Sequence, residues 1–520
     1  MTAALVAVLA IPALGAVLVA AMPAQADRAA RMVGTFAAGA ALLAALLLGL
    51  DRTAWTGPAA ADPGTAGTQP GGAGGSPVQP WHELDLAWAP GLDLRFHLGV
   101  DGISYPLVVL TALLTLLCCG YTLWNVPAPG RGRLLVALLL VIEVGITGTF
   151  LALDLVLFFV FFEVVLLPMF AVIAVWGGPG RRHAARKFVL YTLFGSVLLL
   201  VGIFTVVAAT GTADLVRLTA DAGSGMSRTT QLLAFTLLAI GFAVKSPLWP
   251  LHTWLPDAHT EAPTVGSVVL AGVLLKMGTY GLIRVAVGVA PDGAERAAPT
   301  LGVLAVAAII VGSLVCLAQT ELKRLIAYSS VGHMGFVLLG IATLNATGLQ
   351  AALIGNIAHG IITGLLFFLA GAIKDRAHTG DLVRLGGLRE TAPGLAGVLG
   401  FAAIASLGLP GLAGFWGEAF AVVAAFRVGG PLWTVLGIVA ALGGALTAAY
   451  FLRLLRKVTH GPAAPAVAGI TAPRLAPAEL VAWAPLVVLA LVVGLLPALV
   501  IGMAADPVTA LVTTLATGSR

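Results

Sequence analysis

The chain has 520 residues, of which 59% are hydrophobic and only 10% are charged, and its net charge is +5. A soluble domain carries roughly 25% charged residues, so this composition excludes a soluble protein and indicates a polytopic membrane protein. The basic residues are dispersed among short loops, which argues against a nucleic-acid partner. The three cysteines lie in apolar runs without metal-ligand spacing, and no phosphate-loop or dinucleotide motif occurs, so the sequence predicts no metal or cofactor in this chain.

Apolar runs long enough to cross a membrane recur along the chain. At about 20 residues per crossing, the sequence predicts an all-α fold with about fourteen transmembrane helices. The main soluble insertion is predicted at 51–98, and its middle is a Gly- and Pro-rich, low-complexity loop. The predicted helices span 2–23, 31–50, 101–124, 133–151, 153–176, 185–210, 229–250, 263–290, 300–319, 322–344, 349–373, 393–426, 431–457 and 479–503.

Helix seven is interrupted directly after a lysine, in the run Lys245-Ser-Pro-Leu-Trp-Pro-Leu-His-Thr-Trp. A charged side chain at bilayer depth costs between about 3 and more than 10 kcal/mol, so it is rare and usually functional. Helix twelve has a second break, Gly408-Leu-Pro-Gly-Leu-Ala-Gly, followed by Glu418. The breaks lie five helices apart, and this odd offset makes equivalent five-helix units enter the membrane from opposite sides. Transporters with inverted repeats and paired broken helices build midplane ion sites in this way.

The chain is therefore predicted to have four parts. Residues 1–132 contain helices one to three and an outer loop, and 133–290 form the first five-helix repeat. The second, inverted repeat is 300–457, and 458–520 contain helix fourteen and a tail.

The distribution of basic residues predicts the orientation of the chain. Of the 28 Lys and Arg, Lys245 and Lys276 lie within the membrane, and 18 lie on the side of the loop between helices one and two. The positive-inside rule makes that side cytoplasmic and places both termini on the outer face. The other eight are Arg52, Arg95, Arg217, Arg228, Arg284, Arg296, Arg427 and Arg520.

Further ionisable residues lie within the predicted helices. Glu163 is nine residues into helix five, roughly 14 Å deep and near the midplane. Burial and a nearby opposite charge act on buried acids and lysines in opposite senses, so a row of such groups can take and release protons. The remaining members of the predicted row are Lys276 in helix eight, His333 in helix ten, His359 in helix eleven, Glu418 in helix twelve and, as a candidate relay, Glu143 in helix four.

The sequence alone leaves purely structural roles open for these residues. Glu163 and Lys245 can form a static ion pair, the two histidines can be packing residues, and Glu143 can pair with a loop arginine. Residues near helix ends are predicted to be solvated or to cap helices, namely Asp101, Asp154, Asp257 and His259.

Several segments carry a specific pattern. One is Lys245-Ser-Pro-Leu-Trp-Pro-Leu-His-Thr-Trp-Leu-Pro-Asp-Ala-His, followed by Val269-Leu-Ala-Gly-Val-Leu-Leu-Lys276. Another is Glu321-Leu-Lys-Arg-Leu-Ile-Ala-Tyr-Ser-Ser-Val-Gly-His333, with shorter matches at Phe162-Glu163 and Asn356-Ile-Ala-His359. From about Gly99 to Tyr450 the chain resembles the antiporter-like subunits of proton-pumping NADH:quinone oxidoreductase, respiratory complex I.

The resemblance implies roles for four residues. Glu163 and Lys245 would form the input pair, Lys276 the central relay and Glu418 the exit residue of a proton path driven by quinone reduction elsewhere in the complex. One departure is Gly332, where the family usually has serine before the helix-ten histidine. This departure predicts the loss of one hydroxyl from the path.

The resemblance also implies a location and partners for the chain. The location would be a bacterial plasma membrane, and the partners would be its lipids and other membrane subunits of complex I, including flanking antiporter-like subunits of the L and N types. The complex as a whole would use NADH, FMN, iron–sulfur clusters and quinone. Two alternatives are open: a cation/proton antiporter subunit and a membrane subunit of a proton-pumping hydrogenase.

Overall fold

The computed structural model describes residues 2–50, 77–89, 91, 94–470 and 475–518. Most of the Gly- and Pro-rich middle of the predicted insertion lies outside these residues, as do Arg52, Arg474 and Arg520.

The described residues form an almost entirely helical protein, as predicted. Thirteen of their helices are long and apolar enough to cross a membrane, namely twelve continuous crossing helices and a C-terminal helix described below, whereas helices seven and twelve each cross as two shorter halves. The crossing helices are α1 (Thr2–Ala21), α2 (Asp27–Leu47), α3 (Tyr105–Thr122), α4 (Gly132–Leu151), α5 (Leu155–Trp176), α6 (Arg181–Thr210), α7a (Arg228–Lys245), α7b (Trp254–Glu261), α8 (Thr264–Val287), α9 (Pro291–Ala318), α10 (Leu322–Ala342), α11 (Ala346–Ala377), α12a (Pro393–Ser406), α12b (Ala413–Val428), α13 (Gly430–Thr459) and α14 (Pro477–Leu495). Short helices occur at Leu215–Ala220, Leu388–Thr391 and Pro465–Ala468, and a turn of 3₁₀-helix at Ala24–Ala26.

The breaks in helices seven and twelve are present as predicted. The break after α7a releases backbone carbonyls that would be costly if unpaired in a membrane core. The Trp254 indole donates to the Val244 carbonyl over 3.0 Å, and the Ser246 hydroxyl donates to Phe242 over 2.7 Å. In the second break Gly408 and Gly411 have φ angles of 73° and 91°, a backbone region that favours glycine.

Two matching backbone bridges relate the two halves of the protein. Near the start of α5, Leu155 N donates to Ala213 O and Leu215 N donates to Leu153 O, each over 2.9 Å. The bridge at the start of α10 has the same form: Leu322 N donates to Gly380 O and Leu382 N donates to Thr320 O, over 2.9 and 2.8 Å. Each residue of the second bridge lies 167 positions after its counterpart. The bridges lie at opposite ends of the helix bundle, which is the arrangement of an inverted repeat.

A two-stranded hairpin occupies the end of the segment that was predicted to be a loop. Strand β1 (His82–Ala89) pairs antiparallel with β2 (Leu94–Val100), two strands that the prediction of an outer loop over 51–98 did not include. The signal was present: Leu84, Leu86 and Trp88 alternate with other residues at the period of a strand. Arg95 donates to Asp85 across the strands at 2.8 Å, and this hydrogen bond lowers the pKa of that carboxyl. The membrane face that carries this hairpin is called the hairpin face, and the other the arginine-rich face.

The C-terminal end of the chain also differs from the prediction of one helix over 479–503 followed by a tail. α14 ends at Leu495, before Pro497, and a separate helix α15 (Ala498–Gly518) follows. Although α15 is long enough to span a membrane, its backbone at Met503 meets Gly102, and Leu511 lies beside Gly288. Both glycines are in connections at the hairpin face, so α15 lies along that face.

Gly102 permits the contact with α15. A Cβ atom there would lie 1.7 Å from the Met503 carbonyl oxygen, so Gly102→Ala forces α15 away. Overpacking of this kind costs about 1–3 kcal/mol, and we expect a lower melting temperature in detergent. Gly400→Ala in α12a is the matched control, because nothing lies within 4 Å of its added methyl group. Equal melting temperatures for the two variants would contradict this packing.

Candidate proton-transfer site

Lys245 is the last residue of α7a and is only 3% exposed. Its Nζ lies 4.6 Å from the centroid of the Phe162 ring, a cation–π distance. Glu163 is the next residue and acts electrostatically on the ammonium, yet no direct ion pair joins these two described side chains. Glu163 instead accepts a short hydrogen bond from the Ser196 hydroxyl of α6. The predicted input pair is therefore close without being locked together.

Lys276 is fully buried in α8 and has two hydrogen-bond partners. The helix widens to a π-helix over Leu270–Leu274, and the Ala271 carbonyl, five residues earlier, accepts from Nζ over 2.6 Å. On the other side Nζ lies 2.6 Å from His359 Nδ1. Because an ammonium can only donate, a protonated Lys276 requires Nδ1 to accept and leaves the His359 proton on Nε2.

His333 and Glu418 form a second hydrogen-bonded group. His333 Nδ1 lies 2.7 Å from Glu418 Oε1, and its Nε2 lies 3.0 Å from the Ser406 hydroxyl at the end of α12a. The His333 and His359 rings are 5.8 Å apart between centroids. The structure therefore brings both predicted histidines and the predicted exit residue, Glu418, into one cluster, and His359 connects this cluster to Lys276.

A small cavity lies between the two groups. It has about 30 Å³ of space accessible to water centres, which is room for one or two water molecules. His333, His359, Ser406 and Glu418 all line it. His359 Nε2 is buried without a hydrogen-bond partner among the described residues, and it is the ring nitrogen that Lys276 leaves free.

Gly332 does not face this cavity. A Cβ atom built on it would lie 3.7 Å from the Ser313 hydroxyl of α9, and Gly332 is absent from the cavity lining. The expectation that Gly332 removes a hydroxyl from the path was therefore wrong. The sequence could not show this, because helical neighbours in the chain point in different directions.

Glu143 is 1% exposed in α4, and neither of its carboxylate oxygens has a hydrogen-bond partner in the described part of the chain. Cys119 of α3 lies in electrostatic range of it. The structure does not connect Glu143 by hydrogen bonds to the groups around Lys245 or Lys276.

Of the residues predicted near helix ends, Asp154 caps α5 by accepting from the backbone nitrogens of Val156 and Leu157. Asp257 pairs with Lys187 over 2.7 Å and with Arg324 over 3.5 Å.

Asp101 also caps a helix start, because its Oδ1 accepts from the backbone nitrogens of Ile103 and Ser104 just before α3. It is buried and pairs in addition with Arg284, in a π-helical part of α8. His259 differs from the prediction, since it is 0% exposed and therefore not solvated. Lys323, at the start of α10, is only 4% exposed, and its Nζ donates to the Ala262 carbonyl over 2.9 Å. Burial at a helix end depends on neighbouring helices, which the sequence alone does not show.

A metal site is not apparent: the described residues contain no group of three or more His, Cys, Asp or Glu side chains placed to hold an ion.

Inverted repeats, paired broken helices and a buried row of Lys, His and Glu define a multi-pass membrane protein of the ion-translocating class. Residues 152–443 match the model of the NADH:quinone oxidoreductase/Mrp antiporter transmembrane family. The chain belongs to this family.

Relatives and solved structures agree with this assignment. The chain is 44% identical to NADH-quinone oxidoreductase subunit M of Rhodobacter capsulatus, over 75% of this chain and 77% of the relative. Identity to subunit M of Rickettsia prowazekii is 40%, over 72% and 75%. A chain of respiratory complex I from Thermus thermophilus superposes with a TM-score of 0.82 and 29% identity, covering 98% of this chain and 99% of that one. A chain of the Mrp complex from Dietzia has a TM-score of 0.81 at 24% identity, over 99% and 100%, and shares the fold.

The contact between Lys276 and His359 can be tested through stability. His359→Leu leaves the ammonium with a single backbone acceptor, and a buried group that loses its partner costs about 1–3 kcal/mol, or more when charged. We expect a clearly lower melting temperature in detergent. The control is His183→Leu at the exposed start of α6, which we expect to melt like the unchanged protein. A melting temperature for His359→Leu equal to that of the control would show that the contact does not hold the site together.

Proposed function

We propose that the chain is the M-type subunit of a bacterial NADH:quinone oxidoreductase and carries protons along Lys276, His359, His333 and Glu418. The observation that carries the proposal is the continuous run from the Lys276 ammonium, through His359 and a water-sized cavity, to the His333–Glu418 hydrogen bond. The relatives named subunit M support the assignment. So does the acid at position 418, because the family resemblance places lysine there in the L and N types.

Each member of the run suits proton transfer. His359 accepts at Nδ1 and donates from Nε2, so a proton gained on one side of the ring is matched by a proton released on the other. The cavity has room for water to bridge the ring nitrogens of the two histidines. Glu418 then receives the proton beside the break in helix twelve. From there α12b runs to the hairpin face, and we propose that the proton leaves on that side.

Glu163 and Lys245 are proposed as the input pair that sets the charge of this run. Their separation is informative, because a pair that is close but not locked can form and open with little rearrangement. Breaking a buried ion pair by removing one partner costs about 3–5 kcal/mol. Moving one proton against about 150 mV requires roughly 3.5 kcal/mol. The two magnitudes are comparable, so a change in the pairing of a buried charge at Glu163 or Lys245 is large enough to affect one proton on the run.

The same proposal implies the orientation of the chain in the membrane and its partner subunits. The arginine-rich face would be cytoplasmic and both termini external, in a bacterial plasma membrane. L- and N-type antiporter-like subunits would flank the chain among membrane lipids. Binding of NADH, FMN, iron–sulfur clusters and quinone is assigned to other subunits of the complex.

Replacing Lys245 tests the proposed function. In the whole complex reconstituted into vesicles, we expect Lys245→Ala to reduce proton pumping coupled to NADH oxidation to below about a tenth, because the input charge is lost. Lys457→Ala, near the end of α13, is the lysine control and should pump normally. Normal pumping by an assembled Lys245→Ala complex would overturn the proposal. A requirement for Na⁺ in place of proton release would favour the cation/proton antiporter.

A further inference from the structure

The ammonium of Lys245 lies against an aromatic ring and not against a carboxylate. Its Nζ is 4.6 Å from the centroid of the Phe162 ring and lies over the face of that ring. Among the residues that the structure describes, this ammonium has neither a hydrogen-bond acceptor nor an ion-pair partner. A charge in a membrane core is costly unless another group compensates it. The electron-rich face of Phe162 is the described group placed to do so.

Two further rings hold Phe162 in place. Phe158, one helical turn earlier in α5, stacks on it with 5.8 Å between centroids and an interplanar angle of 24°. Phe242 of α7a meets it edge to face, at 6.0 Å and 75°. Phe158 and Phe242 also meet each other, at 5.9 Å and 88°. Because all three rings are buried and pack together, the Phe162 ring is fixed in the orientation that presents its face to Lys245.

The backbones that carry the two ends of the input pair are in direct contact. A Cβ atom on Gly241 of α7a would lie 2.8 Å from the Gly195 carbonyl oxygen of α6, so an added methyl group would not fit there. Ser196, which donates to the Glu163 carboxylate, follows Gly195 directly, and Lys245 lies one helical turn after Gly241. Close packing at this point leaves the two helices little room to slide. The backbone positions of Ser196 and Lys245 are therefore fixed relative to each other.

The side chain of Lys245 is then the part that can move. Its ammonium is carried on a flexible four-carbon stem. Glu163 follows Phe162 in α5, so the ring and the carboxylate leave that helix in directions about 100° apart. Glu163 already acts electrostatically on the ammonium across the remaining gap. Rotation of the lysine stem can carry the ammonium from the ring to the carboxylate without a displacement of either helix.

We propose that Phe162 is a positioning residue of the input pair, and that its ring holds the Lys245 ammonium while the pair is open. This inference rests on the proposed function and adds the group that binds the lysine when Glu163 does not. A ring attracts a cation through its quadrupole and takes no proton from it, so the lysine stays charged in the open state. The carboxylate of Glu163 meanwhile accepts from Ser196. Competition between the ring and the carboxylate sets how readily the pair closes.

Fluorination of Phe162 separates its contact with the charge from its packing. Each fluorine withdraws electrons from the ring face and weakens its attraction for a cation, while the size of the ring changes little. Phenylalanines with one, two and three ring fluorines are introduced at position 162 through a reassigned stop codon. In the reconstituted complex we expect the initial rate of NADH-driven acidification per assembled complex to fall stepwise, to about a tenth with three fluorines, because the open state is lost.

The matched control is the same fluorine series at Phe158. This residue belongs to the same cluster of rings, and the structure shows no contact between it and the ammonium. We expect its series to pump normally. A structure of the complex with three fluorines on Phe162 reports the position of the lysine directly. We expect Lys245 Nζ to have left the ring and to lie within about 4 Å of a Glu163 carboxylate oxygen, the distance of an ion pair.

Three results would overturn the role of Phe162: pumping that stays constant or rises along its series, an equal decline along the Phe158 series, or an ammonium that remains on the fluorinated ring. Glu163→Gln, measured in parallel, distinguishes this inference from the proposed function. If Glu163→Gln abolishes pumping while the fluorinated complexes pump normally, only the role of Phe162 fails. If Glu163→Gln also pumps normally, the proposed function fails with it.

Discussion

The buried ammonium of Lys276 is the constraint on which the rest of the membrane core depends. Its helix, α8, is buried along its whole length, so every polar group on Lys276 needs a partner inside the protein. One partner is a carbonyl displaced by a π-helical stretch, and the other is His359 of α11. The second contact requires α8 and α11 to pack closely. Gly360 permits this, since a Cβ there would lie 2.6 Å from the Gly272 carbonyl oxygen.

The two repeats have matching backbone structure but carry different side chains near their breaks. Their bridging hydrogen bonds match residue for residue at a constant spacing, and both contain a broken helix. Yet α7a ends in the charged Lys245 whereas α12a ends in Ser406, and the acid Glu418 follows the second break in α12b. Because the repeats are inverted, each difference also separates the two faces of the membrane. An asymmetric set of side chains on a symmetric backbone is what a directional path requires.

The sequence predicted much of this architecture for identifiable reasons. Long apolar runs, Pro and Gly at the breaks and the odd spacing between them predicted the crossing helices and the inversion. It placed Glu143, Glu163, Lys245, Lys276 and Glu418 within helices, where the structure has them, but it did not predict the buried pair of Asp101 and Arg284. It did not predict contacts between helices: His259 was predicted to be solvated or to cap a helix because it lies near a helix end, and Gly332 was predicted to affect the path because it precedes His333. The hairpin and α15 were missed because the apolar signal for crossing helices outweighed weaker, shorter patterns.

The central claim is that Lys276, His359, His333 and Glu418 act in series as one path. Proton pumping by His359→Gln, His333→Gln and the double variant in the reconstituted complex tests this most directly, because steps in series are not independent. The account predicts that the double variant retains the same residual pumping as the more impaired single variant. Losses that multiply, as expected for two independent sites, would contradict it.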